Sequence, residues 1–283
     1  MTEYDYPPEM TQVFKNVDKL PSLPEVATSI LRLINDPYSS ARDIAKILKR
    51  DPATASQLLR LVNSAFYGLN QRITNLDQAI SLVGFNRIRD LALSNSFFRI
   101  FNVCSLEDVF DVKEFWKYSV VNAGLCREID KFTDTEDHTQ VLYVIGLLHN
   151  IGVLPLLEYC PEKMKAALRD AREKEINFRD AERSALGFTH YQAGAWLTQN
   201  WKLPETITEI LLKLEAGEET YFTAVVRVAE CISAKIGVSP IYKREMQLNR
   251  ETWDILKLDE NEIFTLHELA ERELSFAEII LMD

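Results

Sequence analysis

The chain has 283 residues, of which 47% are hydrophobic and 27% charged; this is enough apolar material for a continuous core in one large domain or two modest ones, and it excludes a largely disordered chain. Its 9 glycines fall well below ordinary usage while Leu, Ile, Ala, Glu and Lys are plentiful, so an all-α protein with short connections is expected. A net charge of −11 argues against broad attraction to nucleic acid or to an anionic membrane, although a local basic face is compatible with it.

The amino terminus has no basic region followed by an apolar run, and no segment approaches the roughly 18 uninterrupted apolar residues of a membrane span, so a cytoplasmic protein is expected. Cys104, Cys126, Cys160 and Cys231 are widely spaced without a Cys-x-x-Cys pair, the pattern of reduced core cysteines.

A polar leader occupies residues 1–18. Ser22 then caps a helix whose Val26, Ile30 and Ile34 share a face. Ser40 and Asp43 form a capping-box pattern for a second helix with Ile44, Ile47 and Leu48 as its stripe. Asp51-Pro52 opens a third, which carries Leu58, Leu59 and Val62. Asn75 opens a fourth that closes at Gly84, and a longer helix runs from about Asn86 to Phe101. The pair from Arg42 to Leu61 also fits a DNA-binding helix-turn-helix, because residues 41–72 hold Arg42, Lys46, Lys49, Arg50, Arg60 and Arg72 against Asp43 and Asp51. Its second helix lacks base-reading Arg or Asn at Ala53 to Gln57, so a partner-docking face built on Arg42, Lys46, Lys49 and Arg50 is the preferred reading.

In the second half, Asp111 and Glu114 box the start of a helix with Phe115, Ser119, Asn122, Cys126 and Ile129 on one stripe. A polar loop leads to Gln140–Leu148, apolar nearly all round and therefore a core helix. It ends in Gly-Leu-Leu-His-Asn-Ile-Gly, which presents His149 and Asn150 between glycines. Helices are further expected over Leu154–Tyr159, Pro161–Glu173 and Phe178–Leu186, then from a Thr189/Gln192 capping box, after Pro204, and over Val225–Ile236, where Glu230 stands in an apolar run. From Ser239 the composition turns polar, with helices at about Glu251–Leu256 and Glu260–Ile280; the latter has an amphipathic face of Ile263, Leu266, Leu269 and Leu274 that fits core packing.

Several ordered stretches resemble the HDOD family of bacterial helical domains, related to the HD and HD-GYP phosphohydrolases. They are Leu20-Pro-Ser-Leu-Pro, Asp51-Pro52 through Asn63-Ser64, Ala79 to Gly84, Phe115-Trp116, Gly146 to His149 and Gly187 to His190, spread over roughly Leu20 to Ile236. The resemblance implies a multi-helix HD-like bundle over 19–237, with sub-bundles at about 19–105 and 108–237 and a carboxy-terminal extension over 238–283.

In the catalytic relatives the metal ligands are a histidine on the Phe-Trp helix, a His-Asp pair and a late acid. The matching positions here are Tyr118, His149 with Asn150, and Glu230. A phenol with a pKa near 10 ligates divalent metals poorly at neutral pH, and an amide lacks the charge that lets a carboxylate hold adjacent cations. The resemblance therefore implies a degenerate pocket of Tyr118, His149, Asn150, His190 and Glu230, with no metal and no cofactor, serving either as a hydrogen-bonded structural cluster or as a small-ligand site, in a signalling protein that acts through protein partners and in which self-association is an open alternative. Nucleic-acid and membrane partners are not expected. Two alternatives stand beside this reading: a metal-dependent phosphohydrolase using a remodelled site of His149, His190 and Glu230, and a helix-turn-helix regulator.

Overall fold

The computed structural model describes residues 4–15, 21–34, 40–69, 71–101, 106, 109–133, 138–239 and 248–281. Among these residues there is no strand, only an isolated bridge between Leu106 and Phe110; the all-α expectation holds. Cys104 and residues 35–39, which follow the first expected helix, lie outside the described residues. The chain divides into two compact units, a larger one of Met1–Leu20 with Phe101–Glu273 and a smaller one of Pro21–Ile100 with Leu274–Asp283.

The leader contains a helix, α1 (Pro8–Lys15), that belongs to the larger unit. Two apolar residues four apart suffice to anchor it: Met10 and Phe14 are buried, and the Phe14 ring stacks on Trp196 at 4.4 Å. Helices α2 (Glu25–Ile34), α3 (Ala41–Lys49), α4 (Pro52–Val62), α5 (Leu76–Val83) and α6 (Phe85–Phe98) build the smaller unit. The starts of α3, α4 and α5 follow the chemistry of the sequence, whereas α2 begins at Glu25, after Pro24, and is not capped by Ser22. Asp43 accepts from the Ser40 backbone N–H at 3.1 Å, Asp51 accepts from the N–H groups of Ala53 and Thr54, and Asn75 accepts from that of Gln78. Gly84, at φ +95°, makes the sharp passage from α5 into α6. The α6 helix ends at Phe98, short of the expected Phe101.

Helix α7 (Val112–Asp130) is capped by Asp111 and buries its whole polar-studded stripe. Ser119 and Asn122 lie on that stripe, and their side chains donate back to the carbonyls of Phe115 and Tyr118, which satisfies donors that the core would otherwise strand. Helix α8 (Thr139–Leu148) packs against α7 more closely than any side chain would permit. A Cβ on Gly146 would come within 2.7 Å of Ala123 Cα and the Asn122 carbonyl.

After α8, a tight turn leads into α9 (Val153–Tyr159), followed by α10 (Pro161–Glu173), α11 (Phe178–Leu186), α12 (His190–Asn200), α13 (Glu205–Ala216) and α14 (Tyr221–Lys235). Helix α14 starts four residues before the expected Val225 because Thr220 and Thr223 cap it reciprocally. Thr139–Tyr159 is the one described stretch long and apolar enough to cross a membrane, yet 89% of its apolar window is buried within the fold, as a core element would be.

Helix α15 (Arg250–Leu256) is tied to α14 through Glu219, which accepts from Asn249 at 3.0 Å and Thr252 at 2.8 Å. Helix α16 (Glu260–Ile280) buries Leu266, Ala270, Glu273, Phe276, Ala277 and Ile280, a three-to-four-residue recurrence. Up to Glu273 these residues belong to the larger unit, where Arg127 meets Glu273 at 3.3 Å. Beyond it they belong to the smaller, where the Arg87 guanidinium lies 3.4 Å over the Phe276 ring.

Candidate functional site

The end of α8 is placed by a glycine. Gly152 lies so close to the start of α12 that a Cβ would run into the His190 carbonyl oxygen and come within 2.5 Å of the Gly194 nitrogen. This approach brings the His149-Asn150 turn against the residue that opens α12. Within the larger unit, α7 and α14 supply the remaining side chains.

Tyr118, His149, Asn150, His190 and Glu230 are all buried, none more than 8% exposed. Three of them converge. The Tyr118 hydroxyl donates to Glu230 Oε1 at 3.0 Å, His149 Nε2 lies 3.4 Å from the same oxygen, and the Tyr118 and His149 rings are 5.7 Å apart. His149 Nδ1 sits 2.7 Å from the Gly146 carbonyl, an acceptor only, so Nδ1 carries a proton. Its Nε2 faces Glu230 within ion-pairing distance but without hydrogen-bond alignment. Burial by itself would raise the Glu230 carboxyl, but His149, the Tyr118 hydroxyl and the charge of His190 outweigh it and hold the group below its ordinary value. The Tyr118 phenol moves the other way: burial first and the Glu230 charge second push it well above 10. Tyr118 is therefore a protonated donor, and as such has no lone-pair charge to offer a cation.

His190 belongs to the same neighbourhood electrostatically, through its effect on Glu230, but its direct partner is a residue that sequence reasoning passed over. Glu182 on α11 is fully buried, accepts from the His190 backbone N–H at 3.1 Å and pairs with His190 Nδ1 at 2.6 Å. A carboxylate on Nδ1 fixes the imidazole tautomer and leaves Nε2 as the free nitrogen, the arrangement used to orient histidines that ligate metals or relay protons. Phe178 stacks on the same ring, 5.5 Å away. The signal for Glu182 was available: it stands on the buried face of α11 with Phe178, Ala181 and Leu186, where a lone acid needs a partner. Tyr191 is the second omission. It packs 4.2 Å from His190, and burial followed by the Glu230 charge raises its phenol well above 10.

Among the described residues no three His, Cys, Asp or Glu side chains come together in a way that could hold a metal ion. Asn150 is buried at 5% exposure beside His149. The residues present fit a divalent cation poorly: one imidazole nitrogen and one carboxylate oxygen face each other, and that oxygen also accepts from a phenol.

Arg42, Lys46, Lys49 and Arg50 lie in the smaller unit, exposed on and just after α3. Two are engaged locally, Lys46 with Asp43 at 3.0 Å and Lys49 with Asp77 at 2.8 Å. Their net field is therefore weaker than the sequence count suggests, and Arg42 and Arg50 dominate it.

The family model that matches this chain describes the HDOD domain and covers residues 20–216. An uncharacterized protein of Treponema pallidum (strain Nichols) is 30% identical over 68% of this chain, which spans only 36% of that relative's length. Among solved structures, a candidate signal transduction protein from Marinobacter aquaeolei VT8 has a TM-score of 0.83 at 21% identity, with 96% of this chain covering 65% of that one. An HDOD domain protein of unknown function from Geobacter sulfurreducens has a TM-score of 0.79 at 20% identity, with 96% of each chain covered. A candidate phosphohydrolase from Shewanella amazonensis SB2B has a TM-score of 0.72 at 22% identity, covering 95% of this chain and 97% of its own. At such identities the likeness is one of fold.

Proposed function

Since the chain belongs to the HDOD domain family, we propose that it is a non-catalytic signal-transduction protein of the bacterial cytoplasm that acts through protein contacts, on an HD-like scaffold whose metal pocket has become a structural polar cluster. One observation carries this reading: the Tyr118 hydroxyl occupies Glu230 Oε1 at 3.0 Å, with the phenol held protonated, where the catalytic relatives need open ligands. A phosphohydrolase also needs a bridging carboxylate where Asn150 stands. The exposed side chains of Arg42 and Arg50, with Lys46 and Lys49, are proposed as the docking face for an acidic partner.

Rebuilding the ligands tests the first part. The pair Y118H and N150D restores imidazole and carboxylate to a scaffold of unchanged fold, and it is expected to raise manganese affinity at least about tenfold over wild type. A wild-type protein that already hydrolyses a phosphodiester, with activity lost in H149A, would overturn the reading. Charge reversal at Arg42 and Arg50 is expected to release co-purifying partners, and unchanged co-purification would remove that face.

The phosphohydrolase alternative draws on two features. His149 Nε2 is buried without a hydrogen-bond partner, and His190 is oriented by Glu182, as ligating histidines are.

A further inference from the structure

Helix α1 has eight residues, of which only Met10 and Phe14 are buried. Isolated helices below roughly 12 to 15 residues are marginal in water, so a segment of this length owes its helical form to the surface on which it lies.

That surface is aromatic. The Phe14 ring stacks nearly parallel on Trp196 of α12 at 4.4 Å and meets Tyr159, at the end of α9, edge-on at 6.4 Å. Ahead of α1, the Tyr6 hydroxyl donates to Gln199 Oε1 at 3.1 Å, three residues beyond Trp196 and so on the same face of α12. Gly187, the left-handed C-cap of α11 at φ +86°, leaves room for Glu9: a Cβ there would lie 3.4 Å from the Glu9 Cγ.

The floor of this groove is held by contacts that do not involve α1. Glu182 bonds His190 across α11 and α12, and Gly152 abuts Gly194 where α9 begins against α12. The groove therefore keeps its shape when α1 leaves. Trp196 and Tyr159 stay half-buried even with α1 seated, so a longer helix has further aromatic surface to cover than α1 does.

We propose that this groove is a helix-docking site, that α1 is its resident occupant, and that a partner protein displaces α1 with an amphipathic helix carrying an aromatic residue four places after a long apolar one. Such a helix repeats the spacing of Met10 and Phe14, the anchor pattern of helix-in-groove recognition. Since α1 must leave first, the partner's affinity is reduced by the fraction of molecules in which the groove is closed. The inference is independent of the His149 cluster and of the basic face on α3; it places a docking surface on the larger unit.

The test uses the full chain and a fluorescent peptide of about 20 residues, long enough to be helical, with Met and Phe four apart on an otherwise Ala, Glu and Lys helix. Amide hydrogen exchange of the wild type is expected to be at least about tenfold faster in α1 than in α12, because α1 opens without the core. Phe14→Ala removes the resident anchor and is expected to bind the peptide at least about tenfold more tightly than wild type does. Gln12→Ala, on the exposed side of α1, is expected to change affinity less than about twofold, and a peptide with its Phe replaced by Ala is expected not to bind. The proposal fails if α1 amides exchange no faster than those of α12, if the peptide binds neither protein, or if it binds wild type and Phe14→Ala alike. A wild-type dimer by light scattering that is lost in Phe14→Ala would also overturn it, by making the occupant the α1 of a second copy.

Discussion

Glu230 is held by opposing effects: burial disfavours its charge, while His149, Tyr118 and His190 favour it more. Replacing Tyr118 by Phe removes a hydroxyl that donates to it and leaves a buried carboxylate short of a partner, which should cost about 1–3 kcal/mol in urea unfolding. A destabilisation below about 0.5 kcal/mol would show that the hydroxyl is dispensable. The pH dependence has a definite sign. The folded carboxyl lies below its unfolded value of 4.5, so its contribution is present above that pH and is lost as pH falls through the folded value. The stability gap between wild type and Glu230→Gln should therefore narrow as pH is lowered from about 5 toward 3; a gap that stays constant would contradict the assignment. At this scale the sequence was legible where a motif marked the residue, as for Tyr118, His149 and Glu230. For Glu182 the burial was legible from its apolar helix face but the partner was not, because what pairs an acid on α11 with His190 is the packing of two helices, which residue spacing does not encode.

Among elements, the α8–α9 turn and α1 are the informative cases. Gly152→Ala would set a methyl against the backbone of α12, and backbone cannot swing aside as a side chain can, so a loss of about 3 kcal/mol or an insoluble product is expected, read by thermal unfolding of the soluble fraction. Gly217→Ala, where a Cβ meets nothing within 4 Å but φ is +75°, should cost less, about 1 kcal/mol, from backbone strain alone. Helix boundaries were readable at most ends that a side chain closes, as at Ser40, Asp51, Asn75, Asp111 and Thr189, though not at Thr220. Helix α1 was not, since eight residues with two buried anchors give too little periodicity to distinguish from a polar leader. Phe14→Ala, which deletes a buried ring stacked on Trp196, should cost about 3 kcal/mol, whereas a leader that does not pack would give less than about 0.5.

At the scale of the whole molecule, composition indicated an all-α fold and the net charge of −11 disfavoured general polyanion binding. Composition did not show how the basic residues would be divided. Lys46 and Lys49 are engaged by Asp43 and Asp77, a pairing that only the fold makes visible. The HDOD scaffold thus carries a buried polar cluster in the larger unit. The central claim is that this cluster, with Tyr118 and Asn150 where catalytic relatives have metal ligands, holds no metal. The most direct test is metal content by plasma mass spectrometry, on protein purified without chelators or a metal-binding tag, beside a His149→Ala control. The account predicts iron, manganese and zinc each well below one per chain and unchanged in the control; near-stoichiometric metal that disappears in His149→Ala would contradict it.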